Sequence, residues 1–188
     1  MNDEDIVAAV LAGREDSFSE LVQRYQGRLV NYLYRMLRNV DEAHDLTQDV
    51  FFKVYQALDS FNPRYRFSTW LFRIAQNAAI DHMRKRRLKV VSLQRPDPEG
   101  GADQEWEMPS SDRGPYGDLR NLERGDAIQQ AIDQLPWEYR ELILLRHYGE
   151  LSYDEIATAK EMPLGTVKNK LFRGRQMLKA KLSDYLVD

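Results

Sequence analysis

Apolar residues recur at intervals of three and four along most of the chain, which is the spacing of one face of an α-helix. The longest stripe lies within residues 18–37, at Phe18, Leu21, Val22, Tyr25, Leu29, Tyr32, Leu33, Met36 and Leu37. A second helix is predicted to begin at a capping Asp41, with inward positions Ala43, Leu46, Val50, Val54 and Leu58. No alternation typical of a β-strand extends over a useful length. The pattern therefore predicts an all-α protein.

A break follows at residues 59–64, where Pro63 lacks an amide donor and restrains the residue before it. A further helix is predicted to begin at a cap formed by Ser68 or Thr69 and to end in the basic run 84–87. Its inward positions are Trp70, Leu71, Ile74, Ala75, Ala78 and Met83. Residues 1–89 are therefore interpreted as one helical bundle.

The composition changes over residues 90–118, which hold four of the seven prolines and four of the ten glycines. Seven acidic residues stand against Arg95 and Arg113 in this stretch, and apolar residues are few. Burial in such a segment does not offset the entropy that is lost on ordering. We therefore expect a flexible acidic linker between two domains.

A second small helical domain is predicted over residues 119–188. Its first helix covers residues 119–135. Its next helix starts at Pro136 and stops before Gly149, because proline suits the first turn of a helix and glycine suits its end.

The sharpest local signal is a capping box formed by Ser152 and Glu155, in which each side chain accepts the backbone amide of the other residue. The box opens a short helix, and residues 161–163 separate it from a longer helix that starts at Leu164. This arrangement is typical of a helix-turn-helix. The outward face of the longer helix carries residue types that contact base edges, at Lys168, Asn169, Phe172 and Arg173. A plain helical hairpin with a solvated basic face is the alternative.

Positive charge is concentrated in two segments, although the net charge of the chain is −3. Residues 60–89 hold eight bases and one acid, and residues 164–181 hold six bases and no acid. Two separate basic patches are expected of a protein that contacts a phosphate backbone at two sites. Two solvated helix faces would show the same charge pattern.

No sequence pattern of a catalytic, metal or cofactor site occurs. The chain lacks cysteine, a phosphate-binding glycine loop, a nucleophile elbow and the paired histidines of zinc proteases. His44 lies among acidic residues, but acids are favoured near a helix start, so it is interpreted as solvated. We expect neither enzymatic activity nor a cofactor.

The sequence also lacks the signals of membrane insertion or export. No stretch approaches 18 uncharged apolar residues, and the first 20 residues hold six acids and one arginine, which is unlike a secretory signal. We expect a soluble cytoplasmic protein.

Aromatic and basic residues alternate between residues 61 and 73. Bases that leave a duplex stack on aromatic rings while arginines hold the backbone. Phe67 and Phe72 are interpreted as core residues. For Phe61 and Trp70, burial in the core and contact with an unpaired base both stay open.

Four blocks of sequence, in this order and spacing, resemble the extracytoplasmic-function (ECF) sigma factors, the minimal two-domain class of bacterial sigma factors. The blocks are GREDSFSEL at 13–21, DLTQDVFFKVY at 45–55, FSTWLFRIAQN at 67–77, and LSYDEIA at 151–157 with PLGTVK at 163–168. The resemblance covers essentially the whole chain. It implies that residues 1–89 resemble sigma region 2 and residues 119–188 resemble region 4, with regions 1 and 3 absent.

The resemblance implies three contact surfaces. Four residues match the surface that docks on the clamp helices of the largest polymerase subunit: Asp45, Gln48, Asp49 and Phe52. Eight residues match the part that melts the −10 element and captures a flipped base: Phe61, Asn62, Arg64, Trp70, Arg73, Asn77, Arg84 and Lys85. Five residues match the −35-binding helix: Lys168, Asn169, Phe172, Arg173 and Arg175.

The partners that the resemblance implies are core RNA polymerase, promoter DNA and an anti-sigma factor, which could hold the protein at the inner membrane. The DNA would be double-stranded at −35 and melted at −10, and no small-molecule substrate is implied. The family often has Arg-Ser where this chain has Lys168-Asn169. The −35 sequence preference of a relative therefore does not transfer.

Two other classes of protein stay open. A conventional helix-turn-helix regulator would account for residues 137–182, but it leaves the first bundle unexplained. A phosphorelay adaptor or anti-sigma-type interaction module would account for acidic helix faces without DNA binding. The ability to direct core polymerase to a promoter in a purified system separates the three classes.

Overall fold

The structure, a computed structural model, describes the backbone of residues 1–93 and 119–183 and the side chains of residues 1–88 and 126–183. Within these ranges every regular element is helical, as the periodicity predicts. The N-terminal domain contains α1 (Asp3–Leu11), α2 (Phe18–Leu37), α3 (Val40–Gln56) and α4 (Phe67–Leu93). The C-terminal domain contains α5 (Leu119–Asp133), α6 (Trp137–His147), α7 (Tyr153–Ala159) and α8 (Leu164–Leu182). Single turns of 3₁₀ helix are Glu15–Ser17 and Leu58–Ser60.

The start of α3 corrects one prediction. Asn39 has the extended backbone of an N-cap, and its side chain accepts the Glu42 amide at 3.0 Å. The predicted cap, Asp41, is wrong, because it is the second residue of the helix. Arg38 ends α2 with a left-handed backbone (φ 58°), so that only two residues separate the helices. This tight connection leaves no room for a later cap.

Helix α4 is longer at both ends than the sequence predicts. It begins at Phe67, so Ser68 and Thr69 lie inside its first turn and the prediction that one of them caps it is wrong. It continues to Leu93, past the basic run and into the range predicted as linker. No glycine or proline stands between Arg84 and Leu93, so no residue there interrupts the helix. The rest of the predicted linker lies outside the described residues.

The N-terminal domain is built around α2, which packs against both α3 and α4. The apolar stripe of α2 is buried, as predicted, at Leu21, Tyr25, Leu29, Tyr32, Leu33, Met36 and Leu37. Helix α1, which the sequence analysis did not predict, covers one end of this domain and opens with a capping box between Asn2 and Asp5. A box with Asn and Asp in place of Ser and Glu is a weaker sequence signal.

The C-terminal domain forms the predicted helix-turn-helix on a central α6. The predicted capping box is present, with the Glu155 carboxylate accepting the Ser152 amide at 2.7 Å. Glu161 occupies the turn before α8 with a left-handed backbone (φ 51°). Four consecutive residues of α6, Leu142–Leu145, are buried because the helix is enclosed on more than one side.

The two domains pack against each other and share one continuous hydrophobic core. The Phe72 ring from α4 lies edge-on to Tyr32 at 5.3 Å, and it lies 3.3 Å from the position that a Cβ on Gly149, after α6, would occupy. Arg28 of α2 donates to the carbonyl oxygen of Gly149. We call this arrangement the closed form. The sequence analysis did not predict it.

Gly149 is expected to tolerate no side chain. A Cβ there would lie 2.7 Å from the Leu145 carbonyl oxygen and 3.3 Å from the Phe72 ring. Gly149→Ala should lower the free energy of unfolding by about 1–3 kcal/mol. Gly27→Ala is the matched control, because Gly27 is exposed on α2 and a Cβ meets no atom within 4 Å. The control should raise stability by up to about 1 kcal/mol. Urea denaturation measures both changes, and equal effects would contradict the packing.

Candidate functional site

Helix α3 presents one acidic and aromatic face to solvent, which we call the α3 face. Its members are the predicted docking residues Asp45, Gln48, Asp49 and Phe52, and all four are exposed. Their spacing of three and four residues places them on one side of the helix, opposite the buried Leu46 and Val50. The Phe52 ring is 63 % exposed. Because the described residues leave most of this side chain uncovered, it is available to a partner.

The predicted −10 loop has one buried and two exposed members. The Phe61 side chain is only 9 % exposed, and its ring packs on Phe67 at 5.8 Å and on Trp70 at 5.4 Å. Asn62 and Arg64 are exposed, and the Asn62 side chain accepts the Arg64 amide at 3.0 Å. In the closed form Phe61 therefore belongs to the core. Phe67 is fully buried, as predicted.

The remaining predicted −10 residues follow one side of α4. Trp70 is half-buried, and Arg73, Asn77, Arg84 and Lys85 are exposed. Two of these cations already have acidic partners. Arg84 pairs with Asp81 on the same helix at 2.9 Å, whereas Arg73 pairs at 2.7 Å with Glu161 from the C-terminal domain.

A second carboxylate from the C-terminal domain lies at the start of α4. The Ser68 and Thr69 hydroxyls each donate to Glu155 Oε1 at 3.2 Å, and Arg66 Nη1 lies 3.9 Å from the same oxygen. These contacts were not predicted from the sequence, because the two hydroxyls were interpreted as helix caps. The signal that could have indicated them is the order Arg-Phe-Ser-Thr, which places a cation and two hydroxyl donors close together.

Opposing influences act on the pKa of Glu155. Burial raises this pKa, while the backbone amide and hydroxyl of Ser152, the charge of Arg66 and the hydroxyl of Ser68 lower it. The net effect holds the pKa below its ordinary value of 4.5. The carboxylate is therefore charged at neutral pH, and it faces its donors as an anion.

Further polar contacts connect the two domains. Gln76 of α4 donates to Glu141 of α6 at 2.9 Å. On α2, Arg35 donates to Gln129 of α5 at 2.8 Å, and Arg38 lies 3.4 Å from Asp133. These polar contacts accompany the apolar contacts through which the two domains share one core.

Helix α8 has an outer side and an inner side. Lys168, Asn169, Phe172 and Arg173 are exposed on the outer side, which we call the α8 face, and the Phe172 ring is 61 % exposed. On the inner side Val167 and Leu171 are buried. The structure therefore brings four of the five predicted −35 residues together on one open surface.

Two basic residues of α8 are committed to other helices. Arg175 donates to the Tyr153 hydroxyl of α7 at 2.8 Å, with its guanidinium 5.7 Å from the ring centre. It thus supports the contact between α7 and α8. Lys170 donates to Glu138 of α6 at 2.6 Å, and this hydrogen bond lowers the pKa of Glu138.

The described residues contain no group of His, Asp and Glu side chains that could hold a metal ion. His44 is exposed, as interpreted from the sequence, and His82 lies 3.0 Å from Glu42. No helix within residues 1–93 and 119–183 is long and apolar enough to span a membrane.

Two sequence families match the two domains. The family described as Sigma-70 region 2 matches residues 21–89. The family described as Sigma-70, region 4 matches residues 125–178. The first range contains the α3 face and the predicted −10 residues, and the second contains the helix-turn-helix.

Similar proteins cover nearly the whole chain. The ECF RNA polymerase sigma factor SigW of Bacillus subtilis is 36 % identical over 178 residues, which cover 95 % of each protein. The ECF RNA polymerase sigma-E factor of Escherichia coli (strain K12) is 33 % identical over 97 % of this chain and 95 % of its own length.

Two solved structures are similar in fold. CnrH in complex with the cytosolic domain of CnrY has a TM-score of 0.72 at 23 % identity and covers 97 % of each chain, a likeness of fold alone. The sigma factor RpoE in complex with the anti-sigma factor NepR from Bartonella quintana has a TM-score of 0.66 at 26 % identity. That match covers 88 % of this chain and 96 % of RpoE.

Phe61, in the loop before α4, and Phe172, on α8, should differ in what their removal costs in stability. Phe61→Ala removes a buried ring and should lower the free energy of unfolding by about 3 kcal/mol. Phe172→Ala changes an exposed ring and should cost no more than about 0.5 kcal/mol. Urea denaturation followed by circular dichroism measures both, and similar costs would contradict these placements.

Proposed function

Because the chain belongs to the ECF RNA polymerase sigma factors, we propose that it binds core RNA polymerase and directs initiation at promoters with separate −10 and −35 elements. The observation that carries the proposal is that one chain exposes both the α3 face and the α8 face, on the two domains that match sigma regions 2 and 4.

The α3 face is the proposed docking surface for core polymerase. Asp45 and Asp49 supply negative charge one helical turn apart, and the exposed Phe52 supplies an apolar anchor beside them. An exposed aromatic anchor among charged groups is typical of a protein–protein contact. The charge favours a basic partner surface.

Helix α4 and the loop before it are the proposed site of −10 recognition and melting. Trp70, Arg73 and Asn77 are spaced by three and four residues and share one side of the helix. Arginine and asparagine hold phosphates or base edges, and the tryptophan ring supplies a stacking surface for an unpaired base. Arg84 and Lys85 extend the positive surface toward the far end of α4.

The α8 face is the proposed −35-binding surface. Lys168 and Arg173 supply hydrogen-bond donors for phosphates or guanine, and Asn169 supplies both a donor and an acceptor. These residues lie in the first half of α8, the half that enters the major groove in a helix-turn-helix. Arg175 is proposed to contribute mainly by holding α7 against α8.

Regulation by an anti-sigma factor is also proposed for this chain, because the similar RpoE was solved with the anti-sigma factor NepR. The exposed α3 and α8 faces are surfaces that such a partner could cover. We place the protein in the cytoplasm, where core polymerase is found. Tethering to the inner membrane would require an anti-sigma factor that itself spans it.

The experiment that tests the function is run-off transcription with purified core polymerase on a pool of genomic fragments. We expect discrete transcripts only when this protein is added. A conventional helix-turn-helix regulator would bind fragments without starting transcription, and an interaction module would do neither. The absence of new transcripts would contradict the proposal.

Asp49→Lys tests the docking surface. Reversing one exposed charge at the centre of the α3 face should abolish association with core polymerase in a pull-down assay. The thermal unfolding temperature should hardly change, because an exposed substitution costs no more than about 0.5 kcal/mol. Asp154→Lys, an exposed site on α7, makes the same change in net charge and should leave core binding intact. Loss of binding in both variants, or in neither, would refute the assignment.

Lys168→Ala and Arg173→Ala test the −35 surface. Each should weaken promoter binding. A lost base contact costs about 1–3 kcal/mol on matched sites only, and a lost phosphate contact lowers the salt slope by about one on all sites. Lys170→Ala is the matched control, because it removes an equal charge from the same helix on the side held by Glu138. Affinity titrations at several salt concentrations distinguish these effects. If the control weakens binding as much as the other two, the α8 face is not the contact.

A further inference from the structure

We propose that Glu155 and Glu161 hold the free sigma factor closed by occupying, on α4, the positions that DNA phosphates take when the −10 element is melted. The inference deepens the function proposed for α4 and rests on it. It adds Arg66, Ser68 and Thr69 to the DNA-binding residues, and it assigns two carboxylates of the C-terminal domain as their internal competitors.

The geometry around Glu155 is that of an anion site. Two hydroxyls converge on one carboxylate oxygen at 3.2 Å, and a guanidinium lies 3.9 Å away. Hydroxyls and arginines are the side chains that most often hold nucleic-acid phosphates. While the Glu155 carboxylate accepts these hydrogen bonds, Ser68 is only 9 % exposed and Thr69 only 3 % exposed. A phosphate therefore reaches these donors only after Glu155 has left.

Glu161 repeats the arrangement one turn further along α4. Its carboxylate lies 2.7 Å from Arg73, which the proposed function assigns to the −10 element. It is carried by the turn between α7 and α8, so a single rigid helix-turn-helix delivers both carboxylates. Displacing that unit would free Arg66, Ser68, Thr69 and Arg73 together.

The interface around these contacts also buries polar atoms at a cost. Tyr32 Oη, Arg35 Nε and Arg140 Nε, all at or near it, make no hydrogen bond within the described residues, whereas Arg28 Nε lies 3.2 Å from Glu150 Oε2. A buried polar group without a partner raises the free energy of the state that buries it. Opening that returns those groups to water offsets part of the apolar burial that holds the domains together.

The closed form covers part of the proposed −10 site and leaves the other two proposed binding faces exposed. The α3 face and the α8 face stay exposed, while the start of α4 is covered. The free protein could thus dock on polymerase but would bind single-stranded DNA poorly. Separation of the domains on polymerase would then uncover Ser68 and Thr69 and release Arg73 from Glu161, so that melted DNA is held by the complete set only within the holoenzyme.

The test uses the full chain with both carboxylates neutralised, Glu155→Gln with Glu161→Gln. Glutamine can replace glutamate in a capping box, so α7 should keep its start. The control, Asp154→Asn, removes a charge from an exposed site in the same turn. The probe is a fluorescent 20-nucleotide single strand of mixed sequence, and its affinity is measured by anisotropy. We expect the double variant to bind about tenfold more tightly. This gain is expected when the fraction of molecules in the open, binding-competent form rises from about a tenth to near one.

A distance measurement reports the opening itself. The chain has no cysteine, so spin labels at Gln56→Cys and Gln176→Cys, both exposed positions, give one interdomain distance. We expect a single short distance in the wild type and in the Asp154→Asn control, and a longer, broader distribution in the double variant. Glu161→Gln alone changes an exposed residue, so it should leave the fold intact. It should shift the single-strand affinity and the interdomain distance partway toward the values of the double variant.

Equal affinity for the single strand in the wild type, the Asp154→Asn control and the double variant, including no binding by any of them, would overturn the proposal. So would an unchanged distance distribution in the double variant. Pull-down of core polymerase and run-off transcription, measured in parallel on the wild type, show whether the proposed function stands on its own. A wild type that passes both assays while the variants show no gain would refute only the internal competition.

Discussion

The Glu155 carboxylate links the local start of a helix to the arrangement of both domains. It accepts the Ser152 amide and thereby begins α7, and it accepts two hydroxyls from α4 at the same time. A substitution at Glu155 therefore affects both the helix-turn-helix and the interface between the domains. Its lowered pKa keeps it charged at neutral pH, as the pairing with Arg66 requires.

This contact divides the surface of the molecule into covered and open parts. The helix-turn-helix lies over the start of α4, where its carboxylates meet Ser68, Thr69 and Arg73. The α3 face stays exposed on the first domain, and the α8 face stays exposed on the second. The order of binding events that we propose follows from this division, because only the uncovered faces can meet a partner first.

The sequence predicted most of the helices and the exposed positions of the α3 and α8 faces. The stripe of α2 and the capping box of α7 are local patterns, and both are confirmed. The failures also have local causes. Asn39 and Asp41 are equally good caps by residue type, and only the left-handed Arg38 decides between them. The capping box of α1 lacks the usual Ser and Glu, so its sequence signal is weak.

What the sequence determined by itself was the helical class, the division into two domains and the exposed faces of α3 and α8. These depend on contacts between residues three or four positions apart, which a single stretch of sequence contains. Only the tertiary structure decided that Phe61 is buried, that Ser68 and Thr69 face Glu155, and that the domains share one core. Those outcomes depend on partners far away in the chain, and a hydroxyl in a sequence does not indicate which distant carboxylate will accept its hydrogen bond.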